Sequence, residues 1–174
     1  YDEGNIQLIE FIKYLQTNFN ASISQIRALF SHPDFDINNP YKSLTYSLDL
    51  IMGAESEKFL ASELCEEFGI TEIELHELVE MGLINPRNGI YTGKRDILAI
   101  ISRCDGNEYQ LLKDYAETAK KLAQQEVKIG LNILADREDQ DGRLKHLFDM
   151  LLLLKPYVLN LQTFNTYQQQ AKGA

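Results

Sequence analysis

The stretch Lys58–Ile101, KFLASELCEEFGITEIELHELVEMGLINPRNGIYTGKRDILAII, decides the fold. Phe59, Leu60, Leu64 and Phe68 read as one amphipathic helix that stops at Gly69. Thr71-Glu72-Ile73-Glu74 is a capping box and opens a second helix, with Ile73, Leu75, Leu78 and Val79 apolar, that ends at Gly82. Leu83-Ile84 leads into the turn Asn85-Pro86-Arg87-Asn88-Gly89, where Asn88 and Gly89 both tolerate positive φ. Ile90-Tyr91 then feeds a third helix, Arg95–Arg103, with Ile97, Leu98, Ile100 and Ile101 on its buried side. Asp105-Gly106-Asn107 breaks that helix. Helix, tight turn, helix, hairpin is a winged-helix arrangement, used most often to read DNA.

Downstream lie two long helices. Glu108–Leu134 places Leu111, Tyr115, Thr118, Leu122, Gln125, Ile129 and Asn132 or Ile133 near a seven-residue repeat, which predicts a coiled-coil-like seam. Asp136–Gly142 is a polar turn, and Arg143–Gln170 is the returning helix of an antiparallel hairpin. Pro156 lacks a backbone donor and should kink or split that helix near Lys155. The expected fold is therefore all-α with a small β-wing, winged-helix units followed by a long-helix antiparallel hairpin at 107–170.

Upstream, Asn5–Asn18 carries Ile6, Ile9, Phe11, Ile12 and Leu15 at helical spacing. Ser22 and Gln25 form another capping box, ahead of a stripe Ile23, Ile26, Leu29 and Phe30 that ends at His32-Pro33. Asp34–Tyr41 reads as a loop and Ser43–Met52 as one helix stopped by Gly53, together a helical linker over 31–57. The apolar pattern after Tyr1 echoes that after Tyr91, which makes 1–30 the back end of a first winged unit and 58–104 a second, degenerate one. The chain opens on Tyr1-Asp2-Glu3-Gly4 without Met and reads as a fragment or processed product.

Composition narrows the function classes. In 174 residues, 44% hydrophobic content supports a packed core. A net charge of -9 opposes general phosphate binding. Two cysteines, Cys65 and Cys104, at helical apolar positions point to a reducing, cytoplasmic setting, and no run of about 18 apolar residues predicts a membrane span. Cys65, His76 and Cys104 lack the short paired spacing of a zinc site, and His32 and His146 are isolated, so no metal or cofactor is expected. No phosphate loop, nucleophile elbow or acid–base pair marks an enzyme. Tyr109, Tyr115, Tyr157, Tyr167, Phe148 and Phe164 either line an apolar ligand pocket between the last helices or are ordinary core aromatics.

Phe59-Leu60-Ala61-x-Glu63-Leu64-x4-Gly69-Ile70, then Leu78-x-Glu80-x-Gly82-Leu83-Ile84-x-Pro86, then Tyr91, Asp96-Ile97 and Ile100, resembles the MerR family of bacterial transcription regulators. Asn5-Ile6, Phe11-Ile12-Lys13-x-Leu15 and Ser22-Ile23-x2-Ile26-x2-Leu29 resemble the stretch after the wing in the same family. The likeness covers about two thirds of the chain and leaves 31–57 and the final helix unmatched. It implies a winged head on promoter DNA, a long helix pairing antiparallel in a homodimer, a sensing part, and action through RNA polymerase. By family position Tyr1 and Lys13 would touch phosphates.

The recognition helix departs from the family. Glu72, Glu74, Glu77 and Glu80 would confront a phosphate backbone with nothing nearby to offset them, while Arg87, Lys94 and Arg95 supply only a small basic cluster on the wing. The expectation is a unit that keeps the winged shape and has lost DNA contact. DNA would then be read through the full-length protein by residues upstream of Tyr1. The competing expectation is an adaptor whose acidic unit binds a protein partner.

Overall fold

A computed structural model describes residues 3–52 and 57–173. Tyr1 and the helix stop expected at Gly53 lie outside the described residues. Ten α-helices and three short strands are present among the described residues. The sheet is small and antiparallel, and the rest of the regular structure is helical, as the hydrophobic periodicities predict. No helix among these residues is long and apolar enough to cross a membrane.

The chain divides into two units, one of residues 53–125 and one of 1–52 with 126–174. The first contains the winged arrangement. It runs β1 (Glu57–Leu60), α5 (Ala61–Phe68), α6 (Glu72–Glu80), β2 (Asn85–Arg87), β3 (Ile90–Gly93), α7 (Arg95–Ile101) and the first part of α8 (Gly106–Ala135). Two details differ from the sequence reading. Phe59 and Leu60 are strand residues, because β1 pairs with β3 and sets Phe59 opposite Tyr91. Asn85–Arg87 is also strand, so the turn is only Asn88-Gly89, at φ 51° and 77°. Two positive φ values in a two-residue hairpin follow the strand twist. β3 is central in the order β1-β3-β2.

The helix caps follow from local chemistry. Thr71 Oγ1 accepts from the Glu74 amide at 3.2 Å, and the Glu74 carboxylate accepts from the Thr71 amide at 2.8 Å. Asp105 and Glu108 form the same reciprocal pair at 2.9 and 2.8 Å and start α8, so Asp105 caps a helix as well as ending one. The core of this unit is mostly aliphatic, with one buried ring: Phe59, Leu64, Ile70, Leu75, Leu78, Ile84, Leu98 and Ile101. Gly93 is buried beneath it, where an added Cβ would lie 3.1 Å from Ile84 and 3.3 Å from Leu98. Ile97 and Ile100, expected inside, face solvent, because α7 turns only Leu98 and Ile101 inward.

The second unit is built from α1 (Glu3–Phe19), α2 (Ile23–Phe30), α3 (Pro40–Tyr46), α4 (Leu48–Met52), the end of α8, α9 (Gln140–Asp149), a π-helical turn (Met150–Leu154) and α10 (Lys155–Lys172). The Ser22–Gln25 capping box forms as read, at 2.7 and 3.2 Å. The helix expected over Ser43–Met52 begins earlier, at Pro40, and breaks at Ser47. Residues 40–51 are no linker, since Tyr41, Leu44 and Ile51 are core residues beside Phe11, Leu15, Ile26 and Leu29. Ile6, Ile9 and Ile23 are exposed, because α1 and α2 bury only a narrow stripe. Rings dominate this core: Phe11 meets Tyr41 edge-on at 5.0 Å, and Phe30 lies 4.8 Å from Phe35.

Ile133, Leu144 and Phe148 close the same core from the far end of the chain. The hairpin return is antiparallel here, with Gly130 against Leu147 and the Lys155 ammonium 3.0 Å from Glu126. The stretch 107–170 is therefore no separate domain, because the unit boundary falls inside α8 between Gln125 and Glu126. Pro156 leaves its mark as expected. Without its N–H and with its ring against the preceding turn, the helix widens, and the Lys155 amide reaches back to Met150 O.

Candidate functional site

α6 stands second after α5 and ahead of the β2-β3 hairpin, the place that holds the recognition face in winged helices that read DNA. Leu75 and Leu78 point into the core, which leaves Glu72, Ile73, His76 and Glu80 on the exposed side. His76 Nε2 lies 3.3 Å from Glu80. Ile73 is 75% exposed in the middle of this face.

The four carboxylates are not equivalent. Glu74 is committed to the Thr71 cap. Glu77 is offset by Lys113 on α8, whose ammonium donates at 3.0 Å, an arrangement contrary to the expectation that nothing neutralises this helix. That hydrogen bond, foremost, holds the Glu77 carboxyl below the usual carboxylate range. Lys113 also lies over the Tyr109 ring at 5.2 Å, and Lys120 donates to the Glu80 carbonyl. Ala116 is buried between these lysines. The exposed face thus keeps Glu72 and Glu80, two carboxylates around an isoleucine.

The basic cluster of the wing is reduced in the same way. Arg95 is no phosphate ligand in this arrangement. Its guanidinium holds Glu57 at 2.9 Å and pairs with Glu67, and it sits 5.3 Å from the Phe59 ring and 5.8 Å from the Phe68 ring. Two carboxylates and two rings occupy the donors and faces that DNA would use. The signal for this role lies at Glu57 and Glu67, far from Arg95 in the chain. Arg87 ends β2 and is exposed beside the turn, and Lys94 occupies the N-cap position of α7. Lys13 is exposed on α1, in the other unit.

The aromatics proposed for a ligand pocket do not gather within either unit. Tyr109 packs on the winged core, where its hydroxyl is buried beside Glu77 without a hydrogen bond of ordinary geometry. Burial first, then the Glu77 carboxylate, push its pKa well above the ordinary phenol value. Tyr115 is 63% exposed on α8. Phe148 belongs to the other core, 6.2 Å from Phe19. Phe164 and Tyr167 are exposed on α10.

Tyr157 alone of the six lines a groove in the second unit. It is a shallow, open depression of about 820 Å³ lined by Tyr14, Met150, Leu153, Leu154 and Tyr157, with Asp149 and Lys145 at one side. Sequence reasoning had no handle on Tyr14. Its hydroxyl donates to Asp149 at 2.9 Å, the Lys145 ammonium holds the other Asp149 oxygen at 3.0 Å, and burial raises the Tyr14 pKa well above the ordinary phenol value.

Among the described residues no group of three or more His, Cys, Asp or Glu is placed to hold a metal ion. No family model, no curated protein and no solved structure matches the chain.

Proposed function

We propose that this chain is the regulatory and dimerising portion of a MerR-like transcription regulator, with duplex DNA read mainly by residues outside Tyr1–Ala174. The observation that carries the reading is the element run β1-α5-α6-β2-β3-α7 leading directly into the 30-residue α8. That order, with Gly82-Leu83-Ile84-x-Pro86 between recognition helix and wing, supports the resemblance drawn from sequence. Leu111, Tyr115 and Ile129 are exposed along α8, which supports a seam available to a second copy. Glu72 and Glu80 on the exposed side of α6, and the sequestering of Arg95, support a winged unit that does not dock on phosphates.

A second reading, a protein-binding adaptor, is favoured by Ile73. An exposed isoleucine flanked by carboxylates suits a partner surface that is apolar at its centre and basic at its rim.

Fluorescence anisotropy with labelled duplex DNA tests the reading. The chain should show no saturating binding at low salt, and Glu72→Lys with Glu80→Lys should create salt-dependent binding. Wild-type binding that survives Arg87→Ala and Lys94→Ala, and is lost on substituting Glu72 and His76, overturns it. In light scattering, a monomer at high micromolar concentration counts against the dimerising role.

A further inference from the structure

The outer face of the wing carries a pattern that the winged core does not need. In an antiparallel ladder, residues directly opposite one another project from the same face, and side chains alternate between faces along each strand. Phe59, Tyr91 and Gly93 lie on the core face. On the other face the register sets Leu60, Ile90 and Arg87 in one row across the three strands, and Lys58, Thr92 and Asn85 in the next. The solvated face of such a sheet is ordinarily polar. Here Leu60 and Ile90 stand side by side on it, 53% and 40% exposed.

Two cations frame this apolar pair. Neighbouring strands lie about 4.8 Å apart and rise about 3.4 Å per residue, which puts Lys58 and Arg87 at opposite corners of the face, about 12 Å apart. Both are exposed, and neither forms an ion pair among the described residues. Arg95, by contrast, is held by Glu57 and Glu67. Glu63, close to Leu60, is committed to the Leu60 amide at 2.6 Å. We infer that this face docks an acidic amphipathic helix of a partner protein, with apolar side chains on Leu60 and Ile90 and carboxylates on Lys58 and Arg87. Helices are the elements that cover exposed sheet faces. Carboxylates seven residues apart on a helix lie about 10.5 Å apart on one side, with the third and fourth positions between them, which matches the corner spacing and the apolar centre.

Duplex DNA is a poorer occupant. Phosphates offer no apolar counterpart to Leu60 and Ile90, and a chain at net charge -9 would face one negative charge per about 1.7 Å of duplex. A partner helix presents only a few carboxylates and brings its own apolar stripe. The outer face of the wing and the exposed side of α6, with Glu72 and Glu80 around Ile73, thus select partners of opposite charge. Six residues bury far less than the roughly 800 Å² per partner of a stable complex, so the contact is transient and weakens with salt.

Fluorescence anisotropy of a labelled synthetic helix with the full chain tests it. The probe bears Glu at two positions seven residues apart and Leu at the third and fourth positions between them. The expected result is saturable binding at low salt, weakened about tenfold by Lys58→Glu with Arg87→Glu. Lys128→Glu with Lys172→Glu makes the same change in net charge away from this face and should leave binding within about twofold of the wild type. Leu60→Ser with Ile90→Ser should weaken binding while its salt dependence is kept. Rescue covers misfolding: the probe remade with Lys at both Glu positions should bind the Lys58→Glu, Arg87→Glu chain more tightly than the Lys128→Glu, Lys172→Glu chain. No saturable binding, equal losses in the two charge variants, or no rescue overturns the inference. Duplex DNA that binds the wild type and is lost with Lys58→Glu and Arg87→Glu, while the probe stays free, also overturns it.

Discussion

The winged unit closes its core from the middle of the chain, and the aromatic unit closes its core from the two ends. The first closes a mostly aliphatic core from one continuous stretch, with Phe59 and Ile101 at its limits. The second closes a ring-rich core from both ends, and its Tyr14–Asp149 hydrogen bond spans 135 positions. A core made of neighbours can be specified by caps, turns and short-range periodicity. A core made of distant segments must be specified by shape, and Phe11, Phe30, Phe35 and Tyr41 supply it through ring contacts at 4.8–6.4 Å.

The contrast can be broken most sharply at Phe11 and Leu78, each fully buried at the centre of its unit. Phe11→Ala should cost about 3–5 kcal/mol in urea unfolding, and Leu78→Ala about 3 kcal/mol. A smaller loss at Phe11 than at Leu78 would mean that the aromatic core is the more loosely packed. Gly93→Ala is the next largest effect. A methyl placed 3.1 Å from Ile84 should cost about 1–3 kcal/mol by overpacking, read from the shift in the denaturation midpoint. No change would show that the wing packs less closely than its contacts indicate.

Arg95→Met keeps an apolar stem over Phe59 and Phe68 but releases Glu57 and Glu67. Because that network is about half exposed, the loss should be about 1 kcal/mol. A loss several times larger would make Arg95 the keystone of the sheet. The smallest effect is a pH dependence. Glu77 has its folded-state pKa lowered, chiefly by the Lys113 hydrogen bond, so its contribution is present above the ordinary carboxylate pKa and lost as pH falls through the folded value. The stability gap between wild type and Lys113→Met should therefore narrow on acidification below that range. A gap that is constant across it would remove Lys113 as the cause.

The sequence made the winged unit legible because its signals are local. Thr71-x-x-Glu74, Asn88-Gly89 and the spacing of Leu75 and Leu78 act within a few residues, and each appears in place. The misses came from pairing at a distance. Phe59 and Leu60 continue the helical spacing of Leu64 and Phe68, and only the ladder to β3 makes them strand. Arg95 looks like a free cation until Glu57 and Glu67 are brought to it. Glu77 looks uncompensated until α8 delivers Lys113. Residues 40–51 read as a linker because the partners of Tyr41 and Leu44 lie partly beyond residue 130. Pro156 was readable, since a missing donor acts on the turn beside it.

Under the proposed function, α6 holds the position of a recognition helix with an exposed face of Glu72, Ile73, His76 and Glu80 that does not suit DNA. The most direct measurement is an NMR titration of the isotopically labelled 20.0 kDa chain with duplex DNA at low salt, following the amides of Glu72, Ile73, His76 and Glu80. The account predicts that these four signals stay in place as DNA is added. Saturable shifts at all four, suppressed by salt, would contradict it.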